Sequence, residues 1–383
     1  MLPSLKSYCY FDNAATTPVY EEVVELMADI LRNTFGNPSS LHEPGRKAKV
    51  EIEQARRKIA ELVNARPSEI FFTSGGTEAN NIALWGCVKD LGRKTFITSK
   101  LEHPSVLRPL KMLQSLLNCT VAYVNFNSRG VIDLEHLEAL LTENKNSVVS
   151  LMHANNEIGN LLPVKDVSVI CKRHNALFHC DMVQTAGKYN IDLERLPVDF
   201  AAFSAHKFHG PKGIGALFAR SANTITSLVS GGKQERNFRA GTENTTAIVG
   251  MARALEINHQ NLDVNYSKVF GIRKYILEKI QTNLPQIKIN GDFDGSALHS
   301  ILNVSLPPSV DASLVVAKFD IKGVCISSGS ACLSGSTKPS PVIIALNASD
   351  SLPSLRISIS PFNTKEEADL LLSVLQETIF GVS

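Results

Sequence analysis

The sequence predicts an α/β protein: a mainly parallel seven-stranded sheet flanked by helices, joined to a smaller α+β region. Three observations predict it. Short runs rich in β-branched and aromatic residues recur between residues 70 and 218. Helical periods separate most of them, as the crossovers of parallel strands require. After about residue 258 that rhythm gives way to a long helical segment.

Taken in order, Tyr20–Arg32 reads as a helix. Glu43–Asn64 is a second, with Ala48, Ile52, Ala55, Ile59 and Leu62 spaced by four, three, four and three into one apolar stripe. The runs Ile70–Thr73, Thr95–Thr98, Thr120–Val124, Val148–Met152, Leu177–Cys180, Ala201–Ser204 and Gly215–Phe218 read as buried strands. Ser105–Leu117 and Leu134–Glu143 are helices between them. A helix then runs to Asn283, and the strands Leu302–Ser305 and Leu355–Ile359 flank a Ser/Gly-rich stretch. Thr364 and Glu367 form a capping-box pattern ahead of Leu370, Leu371, Val374 and Leu375, which signposts a last helix.

Composition narrows the function classes. The 383 residues suffice for two or three domains at about 150 each. With 44% hydrophobic and 20% charged residues the chain is globular rather than disordered. A net charge of +2 without basic blocks gives no case for binding nucleic acid or a membrane surface. Seven cysteines without a C-x-x-C pair are no disulfide framework. No apolar run is long enough to span a bilayer, and Met1–Cys9 does not read as a signal peptide, so a cytoplasmic protein is expected.

In open α/β sheets ligands bind at the carboxyl ends of strands. After the first run comes Thr73-Ser74-Gly75-Gly76-Thr77-Glu78-Ala79-Asn80, glycines leading straight into a helix. Free N–H groups and the positive helix end make this a phosphate cradle, although an ordinary βα turn reads equally well from these residues alone. No G-x-x-x-x-G-K-[ST] supports a triphosphate loop. Glu102-His103-Pro104, His153 to Gly159 and Asp181-Met182-Val183-Gln184 follow later strands; each alone suits a cap or a turn. The run Phe200–Ala205 leads into His206-Lys207, and a lysine there is anomalous, since lysine goes inside only when paired or uncharged. Such an amine can form a Schiff base. A phosphate cradle, an aspartate for a ring nitrogen, a histidine to stack and this lysine together describe a pyridoxal phosphate site.

At this point the chain resembles the cysteine desulfurases of the class V aminotransferase family, fold-type I pyridoxal phosphate enzymes. The motifs that carry the likeness run from Asp12–Pro18 and Gly36–His42 through Thr73–Asn80, Glu102-His103, His153–Gly159, Asp181–Gly187 and Ser204–Gly215 to Arg239–Asn244 and Ser327–Cys332. The last of these resembles the nitrogenase-type and housekeeping iron–sulfur assembly subgroup. The likeness implies that Lys207 holds pyridoxal 5'-phosphate, Asp181 pairs with its pyridinium, and Gln184 contacts its phenolic oxygen. Gly76, Thr77, Ser204 and His206 would bind the phosphate, and His103 would stack on the ring and move protons. Asn156 would face cofactor and substrate, Arg356 would hold the substrate carboxylate, and no metal is implied. Thr242 matches a residue that reaches the phosphate across a dimer interface, which implies a homodimer. Residues 16–258 would form the large cofactor-binding domain, and 1–15 with 259–383 a small domain carrying the catalytic cysteine.

Cys332 then becomes the nucleophile that takes sulfur from L-cysteine, leaves L-alanine, and passes a persulfide to an acceptor such as an iron–sulfur scaffold protein. From Ser327 to Lys338, eight of twelve residues are Ser, Gly or Thr, the composition of a flexible tether. The chain departs from the family at Lys233, Asn237 and Phe238, where relatives tend to have glycine or smaller residues, at Leu333, and at Ser360-Pro361. The other readings are a selenocysteine lyase or another class V enzyme that does not need Cys332, and a degenerate binding or regulatory protein.

Overall fold

The computed structural model of the chain describes residues 8–220, 225–308, 310, 312–328, 340–346 and 352–380. Strand β1 (Cys9–Tyr10) precedes helices α1 (Glu21–Asn33) and α2 (Glu43–Leu62). There follow β2 (Ile70–Thr73), α3 (Gly76–Lys89), β3 (Thr95–Thr98), α4 (Pro104–Leu117) and β4 (Thr120–Tyr123). Then come α5 (Leu134–Glu143), β5 (Val148–Ser150), α6 (Val164–Arg173), β6 (Leu177–Asp181), β7 (Phe200–Ser204) and β8 (Gly215–Ala219). Strands β2 to β8 form one seven-stranded sheet in the order β2-β8-β7-β6-β5-β3-β4. Its pairs are parallel except those of β8, which runs antiparallel to β2 and β7.

Both faces of the sheet are covered, which is why most of its strands are apolar throughout. On one face the α2 stripe of Ile52, Ala55 and Ile59 joins Val23 and Ile30 of α1, Leu137 and Leu141 of α5, and α7 (Thr245–Gln260). On the other face α3 and α4 bury Ile82, Leu84, Val106 and Leu110 against Phe71, Phe96 and Phe200. Strand β4 is the exception to the buried strands expected: it lies at the sheet edge, and Thr120 and Tyr123 are exposed.

The rest of the chain builds a separate core. Helix α8 (Leu262–Asn283) leads to β9 (Lys288–Asn290) and β10 (Ile301–Ser305), then to α9 (Ala312–Ile321), β11 (Val324–Cys325), α10 (Pro341–Leu346), β12 (Ser354–Ser358) and α11 (Lys365–Phe380). The capping box forms as its residues predict: Glu367 N–H donates to Thr364 Oγ1 at 3.2 Å and Thr364 N–H to Glu367 Oε2 at 3.1 Å. Ile276, Ile280, Leu302, Val304, Leu371 and Leu375 fill this core together with Phe11 from the other end of the chain. Strand β1 pairs in parallel with β11, Cys9 against Val324.

Candidate active site

The ends of β2, β3, β5, β6 and β7 converge on one cavity of about 200 Å³. Gly76 and Thr77 open α3 on its wall, so the helix brings unpaired N–H groups and its positive dipole end to the cavity. A methyl on Gly76 would lie 2.5 Å from Val183 Cγ2, so only glycine fits there without displacement. Beside this mouth the cavity continues into an opening bounded by Ser74, Gly75, Ser204, His206 and Lys212. Burial, with the cations of Lys207 and Lys212, pulls the His206 pKa down to about 4.

Asp181 closes β6 and is held from two directions. Its Oδ2 accepts from Asn80 Nδ2 at 2.7 Å and its Oδ1 from Val183 N–H at 3.0 Å. Asn80, wholly buried on α3, also donates to Ser105 Oγ at 2.9 Å, and its Oδ1 faces His179 Nε2 at 3.0 Å. The amide oxygen only accepts, so neutral His179 carries its proton on Nε2 and takes Ser150 Oγ–H on Nδ1, 2.8 Å away. Burial holds the His179 pKa down at about 4. Ser105 passes the chain onward, since its Oγ lies 2.7 Å from His103 Nδ1, which also accepts Ser105 N–H at 3.1 Å. The neutral His103 ring therefore carries its proton on Nε2. Burial lowers the His103 pKa; Asp181 opposes that shift and Lys207 adds to it.

Lys207 ends the short turn Ala205–Lys207 that follows β7. Its Nζ donates to the carbonyls of Ala14 and Ala15 at 2.6 and 2.8 Å. That segment is stitched in place next door: Thr17 N–H donates to His206 O at 2.9 Å and His209 N–H to Thr17 Oγ1 at 2.7 Å. Gln184 Nε2 donates to the same Ala14 carbonyl at 3.1 Å. Across the cavity Arg356, on β12 and 1% exposed, donates from Nη1 to Asn156 O at 3.0 Å and from Nη2 to Asp12 Oδ1 at 2.8 Å. Its Nε is buried with no partner among the described residues. Glu102 lies behind, with Oε1 accepting Met152 N–H at 2.8 Å and Oε2 unpartnered among the described residues; burial raises its pKa well above the usual carboxylate range.

Of the residues singled out from sequence, Gly76, Thr77, His103, Asn156, Asp181, Gln184, Ser204, His206, Lys207 and Arg356 all line this cavity. Thr242 does not; it is exposed, between Gly241, whose N–H donates to Gln234 Oε1 at 3.1 Å, and Glu243, which pairs with Lys49 at 3.4 Å. Arg56, almost wholly buried, grips Glu235 through two bonds of 2.7 and 2.8 Å, and Glu235 also accepts Phe72 N–H. Glu235, Arg236 and Asn237 have φ of 43°, 58° and 67°, a left-handed run that ends on one of the family departures. Phe238, the departure next to it, stacks on Phe71 at 3.8 Å. Cys332 and Leu333 lie outside the described residues. Sequence reasoning did not find Asp12, Ser105 or the Ala14 and Ala15 carbonyls, nor the bond from Asn80 to Asp181. Asn80, four residues into the helix that starts at Gly76, and the Asp12–Pro18 motif, which holds Asp12, Ala14 and Ala15, carried a signal without a role; Ser105 carried none.

The chain matches the aminotransferase class-V family over residues 9–371. It belongs to that family. It is 39% identical over 379 residues to the cysteine desulfurase IscS of Dictyoglomus turgidum, a match covering 98% of this chain and 95% of that one. Among solved structures, a NifS-like protein matches with a TM-score of 0.90 and 37% identity, over 98% of this chain and 100% of the other. The structure described as SspA in complex with cysteine matches with a TM-score of 0.80 and 32% identity over 94% of this chain. Within the family the chain therefore groups with the cysteine desulfurases, which are pyridoxal phosphate enzymes.

The residues present fit that cofactor. The glycine mouth of α3 suits a phosphate, the doubly held Asp181 carboxylate suits a pyridinium N–H, and the Lys207 amine suits an aldehyde carbon. The unpartnered Arg356 Nε suits a substrate carboxylate.

Proposed function

We propose that this cysteine desulfurase takes sulfur from L-cysteine with pyridoxal 5'-phosphate bound at Lys207, releases L-alanine, and carries the sulfur as a persulfide on Cys332. The observation that carries the reading is the convergence of Lys207, Asp181 and Arg356 on one cavity. Bound there, the cofactor supplies an electron sink for the pair left on the substrate Cα when its proton departs.

The chain's own groups do the rest. Arg356 takes the substrate carboxylate, with Asp12 and the Asn156 carbonyl fixing its plane. Lys207 Nζ, held by two carbonyls, is the base placed to take and return the Cα proton. His103 keeps its proton on Nε2 and serves as donor on the cavity side. The Cys332 thiolate attacks the substrate Sγ; an S–S bond forms as Cβ–Sγ breaks, and the carbon keeps the electron pair and takes a proton. The balance is L-cysteine plus a thiol giving L-alanine plus a persulfide, without an outside oxidant.

We read the protein as a homodimer. Lys49 of α2 reaches Glu243 at 3.4 Å, which sets the Thr242 segment beside α2, and the turn leading into α2 exposes Phe35 and Leu41 at 81% and 90%. The persulfide would pass to an acceptor of the iron–sulfur scaffold kind. Among the described residues no helix is long and apolar enough to cross a membrane, and the cysteines described are free thiols; both support a cytoplasmic setting.

Mass spectrometry after incubation with L-cysteine tests this. One added sulfur on Cys332, absent from Cys332→Ser, is expected. Full alanine turnover in Cys332→Ser would overturn the nucleophile in favour of a lyase, and failure of borohydride to fix the cofactor on Lys207 would overturn its attachment.

A further inference from the structure

Lys188 stands behind the cavity and takes no part in the steps above. The turn that follows Asp181 carries it back over Gln184, and its Nζ lies 3.3 Å from Gln184 Oε1. On the other side Gln184 Nε2 donates to Ala14 O, the same carbonyl that accepts Lys207. The two ends of a glutamine amide have nearly the same shape, so its neighbours decide which end faces where. Both neighbours point the same way here. A carbonyl oxygen only accepts, and a lysine N–H donates whether or not the amine is charged. Turning the amide over would put oxygen against oxygen at Ala14 and, wherever the Lys188 amine is protonated, N–H against N–H on the other side.

Lys188 is partly buried and lines a small cavity with Lys207, His209 and His299. The charges that act on it are the cations of Lys207 and Arg356, and His209 and His299 are the other titratable groups it faces. It forms no ion pair among the described residues. Burial and the two cations pull its pKa down to about 7. Among the described residues this lysine has no counter-ion and its side chain makes one hydrogen bond, to the cofactor-facing amide, which calls for a reason beyond packing.

We infer that Lys188 is a positioning residue that fixes the orientation of Gln184, so that the amide offers an N–H, not its oxygen, to the group in the cavity. The group it suits is an anionic or acceptor oxygen, the character of the phenolic oxygen of pyridoxal phosphate; to that extent the inference rests on the cofactor reading.

A double-mutant cycle tests it, with the dissociation constant of pyridoxal phosphate from the purified protein and the position of its visible band as readouts. Lys188→Met is expected to weaken binding about tenfold, the scale of one oriented hydrogen bond, and to move the band. Lys188→Arg, which keeps the donor, is expected to restore both. In a Gln184→Met background Lys188→Met is expected to add less than about twofold, because nothing is left to orient. Should the methionine variant not fold, Lys188→Ala, which leaves room for water, takes its place in the cycle. An equal effect of the 188 substitution in both backgrounds overturns the inference and leaves the cofactor reading intact. A wild-type protein that binds no pyridoxal phosphate overturns both.

Discussion

Replacing Gly76 with alanine adds one methyl at the mouth of α3, and the structure fixes where it goes: 2.5 Å from Val183 Cγ2, with Ser204 Cβ at 3.7 Å. Unbonded carbons settle about 3.5–4.0 Å apart, so about 1 Å of room must be made. Val183 is β-branched and stiff about χ1, and its N–H is tied to Asp181 Oδ1 at 3.0 Å. The displacement passes either to Asp181 or to the first turn of α3 with Thr77. On the proposed reading each holds one end of the cofactor. Overpacking of this kind costs about 1–3 kcal/mol, while alanine in a helix returns up to about 1 kcal/mol over glycine. In the cofactor-free protein Val183 and the first turn of α3 are free to give way, so its melting temperature should move less than the full overpacking cost implies, and the site must be restored when the cofactor binds. Affinity for pyridoxal phosphate should fall about 5- to 150-fold, which is the same energy read as binding. Titration of the cofactor-free protein by absorbance measures it, and Gly76→Ala/Val183→Ala, which removes the clashing Cγ2, should recover most of the loss. An unchanged affinity in the single variant, or no recovery in the double, refutes the cradle as the phosphate site.

Two further outcomes follow from buried charge. Arg56→Met strands Glu235 in the interior, and removing one partner of such a pair costs about 3–5 kcal/mol; the urea midpoint should fall accordingly, and a loss below about 1 kcal/mol, the worth of a surface pair, would refute the account. His179 is held near pKa 4 in the folded chain against about 6.5 unfolded, so between those values the unfolded state binds the proton and the native state does not. Stability should therefore fall as pH drops from about 6.5 to 4, by on the order of 3 kcal/mol for this residue, with His153 and His209 acting in the same sense. Denaturation midpoints across that range should slope less in His179→Gln, and a flat wild-type profile would sink the reasoning.

The strands, the α2 stripe and the Thr364–Glu367 cap were legible because period and cap chemistry are local. Lys207 was legible because a lysine at the end of an apolar run contradicts its surroundings. The partners of these residues were not. Asn80 and Asp181 are 101 positions apart, and Asp12 and Arg356 are 344 apart, so nothing in either neighbourhood announces the other. The Ala14 and Ala15 carbonyls that hold Lys207 belong to the backbone, which every residue type shares. The edge position of β4 depends on strand order, and its Thr120 and Tyr123 suit a covered strand as well as an edge. The left-handed run from Glu235 to Asn237 is held by Arg56, a residue whose burial no helical period reveals, since it sits directly beside Ala55 on the stripe.

The pairing of Phe11, β1 and Asp12 with the last third of the chain has a consequence for synthesis. The seven-stranded sheet is complete in sequence at Ala219, and the residues that converge from β2, β3, β5, β6 and β7 are all made by then. Arg356 meets Asp12 only after 344 more residues have followed that aspartate, roughly 20–70 s of translation at ordinary speeds of about 5–20 residues/s. For only the last 137 of those residues, from Ala219 to Arg356, roughly 7–27 s at the same speeds, the emerging polypeptide holds the groups suited to the cofactor before it acquires the arginine suited to an amino-acid carboxylate. Strand β1 and Asp12 must wait for β11 and β12 to be made before either can pair.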